Sequence, residues 1–502
     1  MLVDLVKKSF SIDLRSLALW RIGLGSLLLI DLIIRGLDLA AHYTDMGVIP
    51  RAFLIGRQAH SWFLSLHFMS GRIEFQAFLF ILHGLFALCL IFGLRSRLAA
   101  FLSWCLLVSL QVRNPEVQDA SDHIIRMGLF FAMFLPIGAR YSLDAHFNPP
   151  KEHKESVFSV ASIAITLQVL FIYVFAIVTR TGPQWWDGSA LYMAFHLDQL
   201  ISSTGLMLRQ FPEVLKIGTY GTMLVEVLGP ILLLMPVWQT YTRMLALMLL
   251  WGLHLGIATF MALGTFPYIS IAILFIFIPA SWWEWLQQKY PWAKQNPFAL
   301  ESFSFLREKL RTLAGTNKEY KTHRFWQCFC AVAIIWITNY NIHQHTKIDI
   351  LPKSLFSMGY TLRWNQGWAL FSPFPRTDDG WYVIPATLKN KSQVNLFDEG
   401  KPVTWDKPEV VSATYKNQRW QSYMMKLMKK KKEDYRRHFG KYLCREWNAK
   451  HQGELRLDTF EIYFMKERTL AKRIAEPKKK LLWQHNCNAK SRNKLKPQRS
   501  AK

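Results

Sequence analysis

Apolar residues fall into long runs separated by short basic loops up to about residue 340. A helix needs about 20 mainly apolar residues to cross a bilayer. The third and fourth runs are short, so the pattern predicts eight or nine spans. They lie at residues 14–36, 73–93, 97–113, 123–138, 156–179, 214–237, 241–262 and 265–280, with a ninth from Phe325 to Tyr340.

A different pattern begins beyond Ile348. Short aromatic and β-branched runs alternate with turn residues such as Ser372-Pro373 and Asp379-Gly380, which is typical of a small β-rich module. Residues 417–448 have a helical pattern, and residues 455–464 indicate a further strand. From residue 471 onward Lys, Arg and Asn predominate over core-forming residues, and we expect that tail to be disordered.

These patterns predict an all-α polytopic transmembrane helix bundle followed by a small β-rich α+β extramembrane domain. We divide the chain into a membrane domain (1–290), a basic cytoplasmic linker with the final transmembrane helix (291–345), an extracytoplasmic domain (346–470) and a basic tail (471–502). No internal repeat is visible in the sequence, so nothing favours an inverted-repeat transporter.

The formal net charge of +26 raises the question of nucleic-acid binding. Lys and Arg lie mainly beside the apolar runs and in the tail, where they suit anionic headgroups, so we expect lipid and not nucleic acid as the partner. With nine spans the basic loops share one side, which the positive-inside rule makes the cytoplasm. The N-terminus is then inside and the C-terminal domain outside.

Cysteine usage leaves the redox compartment open. Cys444 and Cys487 can form a disulfide if the C-terminal domain is extracytoplasmic, although their spacing does not require one. The Cys328-Phe329-Cys330 pair is not a metal signature, and we expect no metal site.

Charged residues within the first span are candidates for function, because burying them in a membrane is costly. Arg15 and Arg35 lie near its ends and can extend towards the two interfaces. Arg21 and Asp31 lie deeper and are too far apart to pair, so each implies a partner elsewhere in the bundle. That partner is either a structural counter-ion or a bound ligand.

The fourth span opens with Asp122, His123 and Arg126. Asp122 and Arg126 are four residues apart and can neutralise each other on one helix face. His123 then has no obvious local partner, and it is either a packing residue or a catalyst.

Three later positions are candidates for lining a cavity. Glu226 precedes Gly229-Pro230, where proline kinks the helix, and it can line a cavity or act as counter-ion for Arg21. His254 can form a helix–helix hydrogen bond or face the same cavity. Arg180, followed by Trp185 and Trp186, is either an interfacial anchor or a cation at the mouth of a cavity.

Together these segments resemble the horizontally transferred transmembrane (HTTM) family, whose best-known members are the vitamin K-dependent γ-carboxylases. The resemblance covers about residues 10–290, and the part beyond it resembles the module of bacterial members, which implies a bacterial inner membrane. The resembling pieces are residues 13–25, 43–51, Arg113-Asn114-Pro115, residues 135–144, Trp185-Trp186-Asp187-Gly188, residues 226–230, His254-Leu255-Gly256 and, in the module, Asn417-Gln418-Arg419-Trp420.

The resemblance implies chemistry on a quinol. In the carboxylases a lysine near the outer end of the fifth span deprotonates vitamin K hydroquinone, and the oxygenated product removes a glutamate γ-proton before CO2 adds. Arg180 occupies the position that matches this lysine. Arginine remains charged in proteins, so Arg180 can stabilise a quinol anion but is poorly suited to generate one. In this resemblance, His123 and His254 match two histidines of the carboxylases.

Two hypotheses follow from these observations. In the first, vitamin K hydroquinone or another lipophilic quinol is held by Arg180 while His123, His254 and Glu226 move or orient protons. The flanking binding residues are then Arg21, Asp31, Trp185 and Trp186. In the second, which the arginine favours, the protein is a non-catalytic scaffold that binds lipid, or a protein or peptide partner at the outer domain. A transporter is a third and weaker alternative.

Overall fold

The computed structural model describes residues 2–58, 65–149, 154–298, 304–314, 323–348, 351–470 and 473–488. Six of its helices are long and apolar enough to cross a membrane, or seven if one bent pair counts as a single span. The bent pair is Phe266–Phe277 with Ala280–Lys289, whose axes differ by 90°. The predicted transmembrane helix bundle is confirmed, with fewer spans than the nine expected.

The main helices are labelled in chain order. They are α1 (Leu14–Leu37), α2 (Ile73–Phe92), α3 (Ser96–Arg113), α4 (Ala120–Ala132), α5 (Val160–Val178), α6 (Pro212–Leu234), α7 (Gln239–Phe260), α8 (Phe266–Ile273), α9 (Ala280–Lys289), α10 (Arg324–Thr346), α11 (Gln418–Leu427) and α12 (Glu433–Lys450). Shorter helices are Leu2–Phe10, Leu39–Tyr43, Arg51–Gln58, Leu143–Phe147, Pro183–Trp186, Ala190–Phe195, Ser203–Leu208, Ser304–Leu313 and Lys353–Thr361.

The two short predicted spans form helices that do not meet the length and hydropathy expected of a span. Helix α4 has 13 residues, and at 1.5 Å per residue it is shorter than a hydrocarbon core of about 30 Å. Helix α3 carries serines, Gln111 and Arg113, and its C-terminal half is buried within the protein. Helix α4 therefore belongs to the interior of the bundle, and α3 is enclosed by protein along its C-terminal half.

Local sequence explains where the main helices begin and how they pack. Asp13 caps α1 by accepting a hydrogen bond from the Arg15 backbone amide at 2.7 Å. Ser159 and Ser162 form a reciprocal capping box at the start of α5. Helix α1 packs against α2 and α8, and α5 packs against α6 and α10.

The C-terminal part contains a five-stranded antiparallel sheet. Its strands are β1 (Asp378–Val383), β2 (Pro385–Leu388), β3 (Gln393–Asn395), β4 (Leu457–Leu470) and β5 (Arg473–Asn486). The long strand β4 pairs with β1 and β2 on one side and with β5 on the other, and β3 pairs with β2. The predicted β-rich module with helices is therefore confirmed.

The tail departs from the expectation of disorder from residue 471. Residues 473–486 form β5, and residues 471–472 and 489–502 of the predicted tail lie outside the described residues. The Nζ atom of Lys479 lies 3.2 Å from the centroid of the Trp405 ring. Backbone pairing and this cation–π contact order a lysine-rich strand that composition alone assigned to disorder.

A disulfide joins Cys444 in α12 to Cys487, the residue after β5, with their Cα atoms 5.7 Å apart. The sequence left this bridge open.

Candidate functional site

A cavity of about 510 Å³ lies between the bundle and the C-terminal domain. Bundle residues from the C-terminal end of α5, from α6 and from α7 form one wall, and residues 369–376 with α11 form the other. Most of the lining is apolar, as is usual for sites that hold small organic ligands. The polar and aromatic residues that face it include Tyr173, Arg180, Trp185, Glu226, His254, Phe371, Gln418, Gln421 and Lys426.

The guanidinium of Arg180 forms a bidentate ion pair with Glu226. Its Nη2 donates to Oε1 of Glu226 at 2.9 Å, and its Nη1 donates to the other carboxylate oxygen. The guanidinium also lies over the Trp185 ring, 3.9 Å from its centroid. All three residues are buried, so Arg180 acts as a fixed cation and Glu226 is its counter-ion rather than that of Arg21.

His254 on α7 lies in the same cavity. Its Nε2 atom is 2.9 Å from the hydroxyl of Tyr173 on α5. Its Nδ1 atom is buried and has no hydrogen-bond partner among the described residues. If Nε2 carries the proton and donates to Tyr173, Nδ1 can accept a proton or hydrogen bond from a ligand.

Hydrogen bonds to backbone carbonyls of the C-terminal domain join it to the bundle beside the cavity. The Trp185 indole Nε1 donates to the Phe371 carbonyl at 3.2 Å. The Gly182 amide donates to the Pro373 carbonyl at 3.0 Å, and a Cβ at Gly182 would lie 2.8 Å from that carbonyl oxygen. Glycine is therefore required where the loop after α5 meets the C-terminal domain.

Arg419 of α11 inserts into an acidic cluster inside the bundle. Its Nη1 donates to Asp122 at 2.6 Å and to Asp119 at 3.1 Å, and its Nη2 donates to Asp31. Arg35 binds Asp31 at 2.7 Å and Asp122 at 2.5 Å. We call these five side chains the interdomain ion cluster. Arg35 is buried there, so it does not extend to an interface as the sequence suggested.

His123 does not line the cavity. Its Nδ1 is 2.9 Å from Nη2 of Arg126, which also donates to the Asn365 carbonyl at 2.7 Å. Because Asp122 is engaged by Arg35 and Arg419, the predicted pair of Asp122 with Arg126 does not form. His123 therefore has a local partner, and grouping it with Arg180 in one site was wrong.

The remaining predicted binding residues also lie away from the cavity. Asp31 belongs to the interdomain ion cluster. Arg21 is fully buried and donates to the Tyr141 carbonyl at 2.5 Å, next to Gly93. Trp186 is 67% exposed, and it does not line the cavity as Trp185 does. Thus Arg180, Glu226, His254 and Trp185 are brought together, and the other four candidates are not.

Comparison with known families places the chain. The HTTM domain model matches residues 10–282, which is more than half of the 502 residues. The chain belongs to the HTTM domain family. It is thus an integral, multi-pass membrane protein whose apolar helices contact lipid. No curated protein and no solved structure matches it, so the chemistry of this HTTM protein must be argued from its own residues.

Sequence reasoning missed the contribution of the C-terminal domain to the site. Gln418, Gln421 and Lys426 lie on one face of α11 and line the cavity. In the sequence, this contribution was indicated only by the segment Asn417-Gln418-Arg419-Trp420, which supported the family resemblance but was given no predicted role. Asp31 required a partner, and Arg419, the basic residue of that segment, was a possible one.

Proposed function

We propose that this HTTM protein binds a lipophilic quinol in the cavity between the bundle and the C-terminal domain. The observation that carries the proposal is that two polar pairs, Arg180–Glu226 and His254–Tyr173, line one mostly apolar cavity. A quinol combines a flat apolar ring with two hydroxyl groups, so it suits a cavity with apolar walls and a few fixed polar groups.

The same residues suggest roles towards such a ligand. Glu226 and His254 both line the cavity, and the carboxylate of Glu226 and Nδ1 of His254 can each accept a hydrogen bond from a hydroxyl group. Trp185 and Phe371 offer aromatic faces for ring stacking. Vitamin K hydroquinone is one molecule of this class, and His254 Nδ1, buried without a partner in the described chain, is the group that fits its hydroxyl.

Quinol oxygenation or glutamate carboxylation would be the reaction that follows binding. Arg180 stands where the carboxylases have a lysine, and arginine stays protonated. We therefore assign proton removal to His254 or Glu226 and assign charge stabilisation to Arg180. In this scheme the ion pair keeps Glu226 oriented towards the ligand hydroxyl.

The second candidate is a non-catalytic scaffold that binds lipid or a protein partner. It is favoured by the engagement of Arg180, whose two terminal nitrogens bind Glu226 and whose guanidinium lies over Trp185. A scaffold of this kind would bind a lipophilic molecule without turning it over. It would use the outer domain for partner contacts.

Quinol binding and turnover can be measured on the full chain in detergent micelles. Vitamin K hydroquinone binding is followed by isothermal titration, and epoxide formation by chromatography. Replacing Glu226 with Gln or His254 with Asn should weaken binding about tenfold, the effect of one buried hydrogen bond to a charged or polar group. Trp185→Phe should weaken it less, and Trp186→Phe, which alters an exposed indole, should leave it unchanged.

The outcomes separate the two candidates. Epoxide formed by the native chain supports the enzyme, whereas binding without epoxide, in both the native chain and Arg180→Lys, supports the scaffold. If the native chain binds no quinol, or if Trp186→Phe weakens binding as much as Glu226→Gln, the proposed site is wrong.

We also propose that the C-terminal domain lies outside the cytoplasm of a bacterial cell and the N-terminus inside. Seven spans, counting the bent pair as one, put the two ends of the bundle on opposite sides. The Cys444–Cys487 disulfide supports this orientation, because such bonds persist in oxidising compartments.

A further inference from the structure

The outer end of the cavity carries positive charge that the quinol site does not use. Lys426, Lys429 and Arg376 all line it, and Arg376 and Lys429 also line an adjoining cavity of about 420 Å³. Lys426 is half-buried, whereas Lys429 and Arg376 are exposed. The three cations thus form a path from solvent to the interior. We call them the outer cation cluster.

Lys426 is held in place by neutral groups. Its Nζ donates to the carbonyls of Gln118 at 2.7 Å and Pro115 at 3.1 Å. Burial lowers its pKa to about 8, against the opposing influence of Glu116, Asp119 and Asp122, while Lys429 lowers it further. The site therefore holds an ammonium group in a setting that lacks sufficient negative charge to balance it.

The neighbouring carboxylates are already paired elsewhere. Glu116 binds Lys432 at 2.6 Å, and Asp378 binds Lys466 at 2.9 Å. Asp119 is bound by Arg419 at 3.1 Å. Within the described ranges, no carboxylate comes within ion-pair distance of any member of the outer cation cluster.

The cluster members also repel one another. Arg376 and Lys432 both lower the pKa of Lys429, in addition to the effect of burial. Glu116 opposes these effects on Lys429 but is itself paired with Lys432. Asp379 lines the adjoining cavity, where burial and Asp198 raise its pKa to about 7. An anion bound between the cations would relieve the repulsion.

We propose that Lys426, Lys429 and Arg376 form an oxyanion site that binds a phosphate group at the outer mouth of the cavity. Three cations favour a phosphate over a single carboxylate, because a phosphate has more acceptor oxygens and carries up to two negative charges. The planar guanidinium of Arg376 can bind two of these oxygens, and each lysine can bind one. The group belongs either to a phospholipid, whose chain would lie along the apolar wall, or to a soluble phosphate compound.

The test compares two double variants of the full chain purified in a neutral detergent. Arg376→Gln with Lys429→Gln removes two cluster cations, and Lys430→Gln with Lys431→Gln removes two exposed lysines of the same run that do not line the cavity. All four side chains are exposed, so neither variant should impair folding. Gel filtration and quinol binding provide independent checks of this.

Two measurements distinguish the sources of phosphate. Native mass spectrometry counts the phospholipids retained by each variant. The second measurement uses delipidated protein. Inorganic phosphate is added, and the protection of Lys426 from an amine-reactive reagent is measured by peptide mass spectrometry. This protection gives the affinity for phosphate. The cluster variant should lose about tenfold in phosphate affinity or most of its retained lipid, while the control variant stays within twofold.

Each outcome decides the proposal. Lipid retention lost only in the cluster variant identifies a phospholipid, and unchanged retention with lost protection by inorganic phosphate identifies a soluble phosphate compound. If the cluster and control variants agree in both measurements, the oxyanion site does not exist. Quinol binding is scored separately, so this inference and the proposed quinol site can fail independently.

Discussion

Replacing Arg419 with Met should release α11 from the bundle. The change removes a buried cation that binds Asp31 and Asp122 directly and leaves Arg35 as the remaining cation of the interdomain ion cluster. Arg419 is 1% exposed, so solvent cannot replace its hydrogen bonds. Leaving a charge buried without its partner costs about 3–5 kcal/mol.

This cost is large relative to the total stability of a domain, which is about 5–15 kcal/mol. Other contacts hold the C-terminal domain in place. For example, the side-chain amide of Asn417 donates to the Asp38 carboxylate at 2.6 Å. We therefore expect local release of α11 rather than global unfolding. A penalty of 3–5 kcal/mol corresponds to faster amide exchange in residues 418–427 by a factor of about 100 or more.

Hydrogen–deuterium exchange of the full chain in micelles measures this directly. The control is Arg445→Met, since Arg445 also joins the outer domain to the bundle part but binds only the carbonyls of Met46 and Gly47, at 2.7 and 3.2 Å. Adding Asp122→Asn to Arg419→Met should recover part of the protection, because it removes one unpaired charge. Unchanged exchange in α11, or an equal effect of Arg445→Met, would refute the reasoning.

Further predictions concern the C-terminal domain. Because burial raises the pKa of Asp379 from 3.8 to about 7, the free energy of unfolding falls as pH rises between these values and the loss is complete above about 7, so Asp379→Asn should raise the melting temperature at pH 8 and do so less at pH 5. Phosphate protection of Lys426 should weaken as pH rises through about 8, where its ammonium loses the proton. Cys444→Ser should lower stability by about 2–4 kcal/mol in thermal or denaturant unfolding. In intact cells Cys487 should resist thiol labelling until a reductant is added.

Hydropathy predicted the bundle because each spanning helix must satisfy its own backbone and present apolar residues to lipid. The same rule overcounted α3 and α4, because α4 and the C-terminal half of α3 are enclosed by protein. Hydropathy cannot distinguish a helix surrounded by lipid from one surrounded by other helices. Only the length of α4 and the polar residues of α3 carried that information.

The candidate site was predicted only in part, because some of the residues that pair with each other lie far apart in the sequence. Arg180, just after α5, and Glu226, in α6, lie 46 residues apart, so the succession of these two spans made their pairing foreseeable. Asp31 and Arg419 are 388 residues apart, and no local pattern links them. The need for a partner was evident at Asp31, whereas the identity of the partner depends on how the outer domain docks.

That docking ties the interdomain ion cluster to whatever the cavity binds. Both walls of the cavity must be present for a ligand to be enclosed, and Arg419 fixes the helix that supplies Gln418, Gln421 and Lys426. A ligand that binds only the docked form stabilises docking by RT ln(1 + [L]/Kd). By the same linkage, a variant that leaves α11 docked for a fraction of the time lowers the apparent affinity by that fraction. Arg419→Met should therefore weaken quinol and phosphate binding by the same factor, although Arg419 lines neither site, whereas Glu226→Gln should affect quinol alone.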